Sequence, residues 1–152
     1  MKKLSSLLVL MLIALIMFVS CNNNTAVKER PATPEDAEIF AALSSAATFY
    51  AFSPEEIEGV KRVHDGNVYT ASFNNVKFTN PETKEVVAIL NGTAKLVGTQ
   101  ESGTMILDLV NGTQYKGKAH TLYAKQTSSS KYPEIVIDGY KLTDLDKIQN
   151  NY

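Results

Sequence analysis

From Asn67 onward the apolar residues fall at every second position, and β-branched and aromatic side chains dominate. That spacing commits the C-terminal half of the chain to strands with one face turned inward. Tyr69, Ala71 and Phe73 alternate with Thr70 and Ser72, and the apolar parity then flips to Val76 and Phe78 across Asn74-Asn75, which predicts a bulge or tight turn. Asn80-Pro81-Glu82-Thr83-Lys84 reads as a turn. Two longer extended stretches follow, Glu85 to Val97 and Thr104 to Tyr123, and each contains Asn-Gly-Thr, at 91–93 and 111–113. Asn-Gly is a strong hairpin signal, so the faces decide. A hairpin at Asn111-Gly112 puts Met105, Leu107 and Leu109 on one face with Gln114, Lys116 and Lys118. A chain that continues through the glycine keeps Met105, Leu107, Leu109, Tyr115, Ala119 and Tyr123 together, opposite Gln114, Lys116, Lys118 and His120. Continuity with a kink at Gly112 or Gly117 is the expectation. At Asn91-Gly92 both readings segregate the faces and stay open. Gln126 to Lys131 is a serine-rich loop, Glu134 to Lys141 the last strand, turning near Asp138-Gly139, and Leu142 to Ile148 a single helical turn with Thr143 as its cap.

Ahead of the strands the period is helical. Thr33 stands as N-cap, Pro34 at the first helical position, and Glu35 and Asp36 follow, with Asp36 placed to close a capping box. The helix is expected to run to Phe52, with Ile39, Leu43, Ala46 or Ala47 and Tyr50 on one face, Phe40 and Phe49 flanking it, and Ala41, Ala42, Ser44 and Ser45 elsewhere. Ser53-Pro54-Glu55-Glu56 reads as a second cap opening a shorter helical piece, with Ile57, Val60 and Val63 inward. Helix followed by strands is an α+β order: an N-terminal helix or bent helix pair packed on a curved antiparallel sheet of about four to six strands. Residues 33–152 form one such domain.

The first twenty residues stand apart. Lys2 and Lys3 precede a stretch from Leu4 to Val19 interrupted only by Ser5 and Ser6, and the stretch stops at Ser20-Cys21. It is shorter than the roughly 20 apolar residues that span a bilayer, and Asn22-Asn23-Asn24-Thr25 supplies no basic stop-transfer cluster. The reading is a cleaved secretory signal over 1–20. Phe18-Val19-Ser20-Cys21 resembles the lipobox of bacterial lipoproteins, in which a small residue precedes the cysteine at the end of the apolar stretch. That resemblance implies cleavage before Cys21, a thioether-linked diacylglycerol on Cys21 and an acyl chain, such as palmitate, on its amine. It further implies a cell-envelope location, with Asn22 directing the protein to the outer membrane where the host has one. Residues 21–32, rich in Asn and Thr and then charged, with Pro31 near the end, read as the lipidated cysteine and a flexible tether.

Behind the signal, 13 basic side chains face 16 acidic ones, a net charge of -3. No basic footprint marks a nucleic-acid surface. A single cysteine provides neither an internal disulfide nor a Cys/His metal cluster. His64 lies beside Asp65 and Gly66 in a turn and His120 on the polar side of a strand, neither with metal-ligand spacing. No Gly-x-Ser-x-Gly elbow or glycine-rich phosphate loop occurs. Glu55, Glu56, Glu58 and Asp65 form an acidic stretch that helix N-terminal carboxylates explain. Asn91 and Asn111 match the glycosylation sequon, which carries little weight behind a bacterial lipobox. Lys116, Lys118 and His120 line up as a basic ladder, the one candidate interaction face for an acidic partner or lipid headgroups. The expectation is a membrane-anchored envelope lipoprotein with a non-enzymatic binding or structural domain. It needs no cofactor or metal and has an envelope protein or small ligand as partner. The alternatives are a carrier of a small apolar ligand in a helix–sheet cavity, or an envelope enzyme.

Overall fold

The computed structural model describes residues 27–99 and 102–146. Cys21 and the expected signal segment lie outside the described residues, as do Lys147 and Ile148 of the expected C-terminal turn. Among the described residues the fold is α+β, with one long helix on one large, mostly antiparallel sheet. Among these residues strand β1 (Lys28–Pro31) comes first, then helix α1 (Pro34–Phe52), then β2 (Val60–Asp65), β3 (Val68–Thr79), β4 (Val86–Val97), β5 (Thr104–Leu109), β6 (Gln114–Tyr115), β7 (Lys118–Ala119), β8 (Leu122–Thr127), β9 (Glu134–Ile137) and β10 (Tyr140–Thr143). The main path across the sheet is β1-β10-β9-β8-β5-β4-β3-β2, with the small hairpin β6–β7 attached to β4. Among the described residues only β1 and β10 pair in parallel, Lys28 opposite Tyr140 through Pro31 opposite Thr143.

The sheet therefore exceeds the expected four to six strands, and the helix is not the first element. Lys28–Pro31, read as tether, is an edge strand. Its partner β10 arrives over a hundred residues later, so nothing local in Lys28-Glu29-Arg30-Pro31 announces it. The second helical piece does not form: Val60 begins β2, and Glu55, Glu56 and Glu58 sit exposed in the connection. Val63 is exposed, not inward. Thr104 to Tyr123 is not one kinked strand either. The chain leaves the sheet after Leu109, makes the β6–β7 hairpin and returns at Leu122, which pairs with Leu109. This detour resets the parity, so Leu122 and Ala124 face the core while Ala119 is exposed and Tyr123 is only half-buried. Leu107, Leu109 and Tyr115 are buried as expected. Leu142 and Thr143 continue β10 and are not helical.

Curvature comes from a line of irregularities that crosses neighbouring strands. In β3 the register shifts between Phe73 and Val76, the bulge expected at Asn74-Asn75, with Asn75 at φ 56°. Phe73 pairs with Gly92 of β4, Gly92 pairs with Leu109, and β5 ends there. Asn91-Gly92 is thus not a hairpin; β4 runs through it. Bulges and glycines aligned in this way bend a sheet across its strands, and the concave side takes the helix. Ile39, Leu43, Ala46, Ala47 and Ala51 of α1 are buried against Ala71 and Phe73 of β3, Ala88, Leu90 and Ala94 of β4, and Leu109 of β5. Alanine on both surfaces lets the two backbones approach closely.

Candidate functional site

Eight strands about 4.8 Å apart make a sheet some 34 Å wide, and a helix about 10 Å across covers only part of it. Helix α1 packs mainly on β2, β3, β4 and β6. Over β5 and β8 this leaves a cleft of about 580 Å³. One wall is the helix ridge Phe40, Ser44, Thr48 and Phe52, spaced four residues apart; the other is Ala94 and Leu96 of β4, Met105 and Leu107 of β5, and Ala124 and Gln126 of β8. Rows such as Leu96–Met105–Gln126 and Ala94–Leu107–Ala124 are direct cross-strand neighbours, so the sheet wall is continuous. Thr127, Ser128 and Pro133 close the end formed by the β8–β9 loop, beside Gly103.

The helix is fixed at both ends, which fixes the cleft. At the N-terminus the expected capping box is present: Asp36 N–H donates to Thr33 Oγ1 at 3.2 Å and Thr33 N–H donates to the Asp36 carboxylate at 2.9 Å. Arg30, from β1, grips the same carboxylate with both terminal nitrogens and also lies 5.2 Å from the Tyr140 ring. Burial raises the Asp36 carboxyl, but the hydrogen bonds from Arg30 and Thr33 outweigh it and hold the group below its ordinary range. At the C-terminus the last carbonyls have no basic residue on the helix itself. Arg62 of β2 supplies one, donating to Ala51 O (3.0 Å), Tyr50 O (2.7 Å) and Glu55 O (2.9 Å). A guanidinium there satisfies orphan carbonyls and complements the negative helix end. Tyr69 hydroxyl donates to Ala51 O as well, and Tyr50 hydroxyl donates to Lys77 O at 2.8 Å. Phe52 stacks on Tyr69 at 5.3 Å, holding its ring at the mouth of the cleft.

The expected basic ladder is divided: Lys116 and Lys118 reach the helix, and His120 does not. Lys116 Nζ and the Tyr115 hydroxyl both donate to Glu38 Oε1, pulling the Glu38 carboxyl down and, with Glu38 in turn, the Lys116 ammonium up. Lys118 Nζ lies 3.7 Å from Glu35. These exposed pairs tie hairpin β6–β7 to the first turns of α1. His120 is elsewhere, its Nδ1 2.9 Å from Asp138 Oδ2. Asp138 also accepts from Thr121 N–H at 2.8 Å, and with Gly139 it makes the β9–β10 turn foreseen at that dipeptide.

Chemically the cleft offers apolar surface and a few neutral polar groups. Lys95 borders it, but between Ala94 and Leu96 on an alternating strand its side chain belongs to the opposite sheet face. Gln126 has its amide nitrogen committed to Thr127 O and Ser130 O, and Ser44 Oγ donates back to Ala41 O. Among the described residues no three potential metal ligands cluster, and no helix is long and apolar enough to cross a membrane. The sequence marks Phe40 as a flank of the packed face and Met105 as inward, but Phe52 only as the end of the helix and Gln126 only as the start of a loop. The available signal is the Phe40, Ser44, Thr48, Phe52 spacing, a second stripe one residue on from Ile39, Leu43, Ala47 and Ala51 and so about 100° around the helix from that packed row. The chain matches no protein family, no curated protein and no solved structure.

Proposed function

We propose that this chain is a membrane-anchored envelope lipoprotein whose domain is a non-enzymatic binding module, with the helix–sheet cleft as its ligand site and a small apolar molecule as its ligand. The observation that carries the reading is the cleft itself: about 580 Å³, walled by Phe40, Phe52, Leu96, Met105 and Leu107. That volume falls within the roughly 300 to 1,000 Å³ of small-molecule sites, which are mostly apolar with few polar groups. The anchor is supported by the Phe18-Val19-Ser20-Cys21 resemblance; two or more acyl chains hold a protein stably where one does not.

Two experiments test the two halves separately. Fatty-acid labelling and detergent partitioning should mark the wild-type chain and not Cys21→Ser; equal labelling of both ends the lipoprotein reading. For the cleft, 1-anilinonaphthalene-8-sulfonate should bind and fluoresce with the wild type. Ser44→Trp, which fills the cleft from the helix side, should abolish the signal without lowering the melting temperature. Undiminished dye binding in that variant removes the cleft as the ligand site.

A further inference from the structure

The shape and polarity of the cleft narrow its ligand. Phe40 and Phe52 are twelve residues apart on the helix, about 18 Å along its axis. Between these two bulky ends the ridge carries only Ser44 and Thr48, so the helix wall is a trough with an aromatic ring at each end. Phe40 and Phe52 both line the cleft of about 580 Å³, so it extends along the ridge between them, a shape that suits an extended chain. The polar groups are not distributed evenly. On the sheet side the wall is Ala94, Leu96, Met105, Leu107 and Ala124, and polarity begins only at Gln126, Thr127 and Ser128. There the β8–β9 loop is a hydroxyl cluster, with Thr127 Oγ1 2.5 Å from Ser130 Oγ and 3.2 Å from Ser129 Oγ. The cleft is therefore long, neutral and apolar along the sheet, with a hydroxyl-rich rim at one end.

We infer that the cleft binds the hydrocarbon tail of a single-chain amphiphile, a long-chain acyl group, with the tail under the Phe40–Phe52 ridge and the polar end at the Gln126–Ser128 rim. This rests on the reading of the cleft as a ligand site and adds the ligand's class. An uncharged lining suits a chain of methylenes, because nothing in the trough demands a polar partner and each methylene removed from water adds favourable free energy. A free fatty acid and a lysophospholipid present the same tail, and differ only in what stands at the rim.

The test uses the chain from residue 21 onward, which contains every described element, with Cys21→Ser so that it brings no acyl group of its own. Displacement of cis-parinaric acid is followed with saturated fatty acids of increasing length, each below its critical micelle concentration, and with 1-palmitoyl-lysophosphatidylcholine. Affinity should rise about fourfold per added methylene and level off once the chain outgrows the 18 Å trough. Ser44→Trp and, independently, Thr48→Trp should each weaken binding tenfold or more with unchanged melting temperature. Stronger displacement by the lysophospholipid than by palmitate assigns the tail to a membrane lipid, and the reverse assigns it to free fatty acid. If anilinonaphthalene sulfonate binds and is lost in Ser44→Trp while no acyl compound competes with it, the cleft is a ligand site of another class and the acyl inference falls alone. Acyl binding that ignores chain length, or survives both tryptophan variants, also overturns it. If neither probe binds, the inference and the reading beneath it fall together.

Discussion

Asn91-Gly92-Thr93 and Asn111-Gly112-Thr113 are the same tripeptide in two places, and the backbone runs through one and turns at the other. At the first, β4 has a partner on each side: Gly92 lies between Phe73 of β3 and Leu109 of β5. Pairing on both edges holds the segment extended, and Gly92 meets the bend with φ +131°. At the second, β5 has ended and its next partner, β8, begins only at Leu122, so local preference governs. Thr113 N–H donates to Val110 O at 3.1 Å, closing a turn with Gly112 at φ +96° in its third position and Asn111 outside the left-handed region. That is the pattern of a type II turn, which needs glycine in the third position and makes no demand on the residue before it. The two copies also touch. The buried Thr113 hydroxyl accepts from Asn91 N–H at 3.1 Å and donates to Asn91 O at 3.0 Å, standing in for a strand partner in the gap between β5 and β6. Turn propensity in this sheet is decisive only where strand pairing leaves the backbone free.

Substitution at the first glycine should give the largest effect. A Cβ on Gly92 would lie 2.1 Å from Asp108 O and 2.9 Å from Leu109 Cα, both backbone, in a conformation L-residues avoid. Gly92→Ala should therefore cost about 3 to 4 kcal/mol, read by urea denaturation. A loss below about 1 kcal/mol would mean that β4 and β5 separate easily there and that pairing does not hold the segment. Next comes Thr113→Val, which keeps the shape and strands the Asn91 N–H; about 2 kcal/mol is expected. Thr113→Ser, retaining the hydroxyl, should recover most of it. Equal losses in Val and Ser would assign the effect to the methyl group and uncouple the two tripeptides.

Gly112→Ala should cost less than either, about 1 kcal/mol, because the left-handed strain remains while the nearest obstacle is only a side-chain amide, Asn91 Nδ2 at 3.2 Å. A loss as large as that of Gly92→Ala would mean the turn is as tightly boxed as the strand.

The same division explains what could be read from the chain without coordinates. The capping box at Thr33 and Asp36, the bulge at Asn74-Asn75 and the Asp138-Gly139 turn are decided by neighbours in sequence, and each was legible. Strand β1 was not, since Lys28–Pro31 is polar and its hydrogen-bond partners come from Tyr140–Thr143. The β6–β7 detour was hidden because a continuous strand gave cleaner faces; the chain recovers the inward parity by spending Ala119 and Tyr123 outside the core. For the cleft, the residues were visible but their grouping was not. Phe40 and Phe52 look like the margin of one broad apolar helix, and only the helix's placement over β2, β3, β4 and β6 turns that margin toward Met105 and Leu107. Lys116 and Lys118 were rightly placed in solvent, and their acidic neighbours Glu38 and Glu35 come from a helix some eighty residues earlier.

The smallest expected effect is at Asn111, and it is the sharpest test of the comparison because the dipeptide's reputation rests on that residue. Asparagine is favoured in two-residue hairpins for tolerating the left-handed conformation at the first central position. Asp138 does adopt it, at φ 51°, and its carboxylate is engaged by Thr121 and His120. Asn111 does not, and it is exposed. Asn111→Ala should therefore change stability by no more than about 0.5 kcal/mol, whereas Asp138→Ala should cost about 1 to 2 kcal/mol through strain and lost hydrogen bonds. Both are read from paired denaturation curves. If Asn111→Ala is as damaging as Asp138→Ala, the turn at 111–112 depends on its asparagine after all. Local chemistry, rather than release from strand pairing, would then be what turns the chain at the second copy.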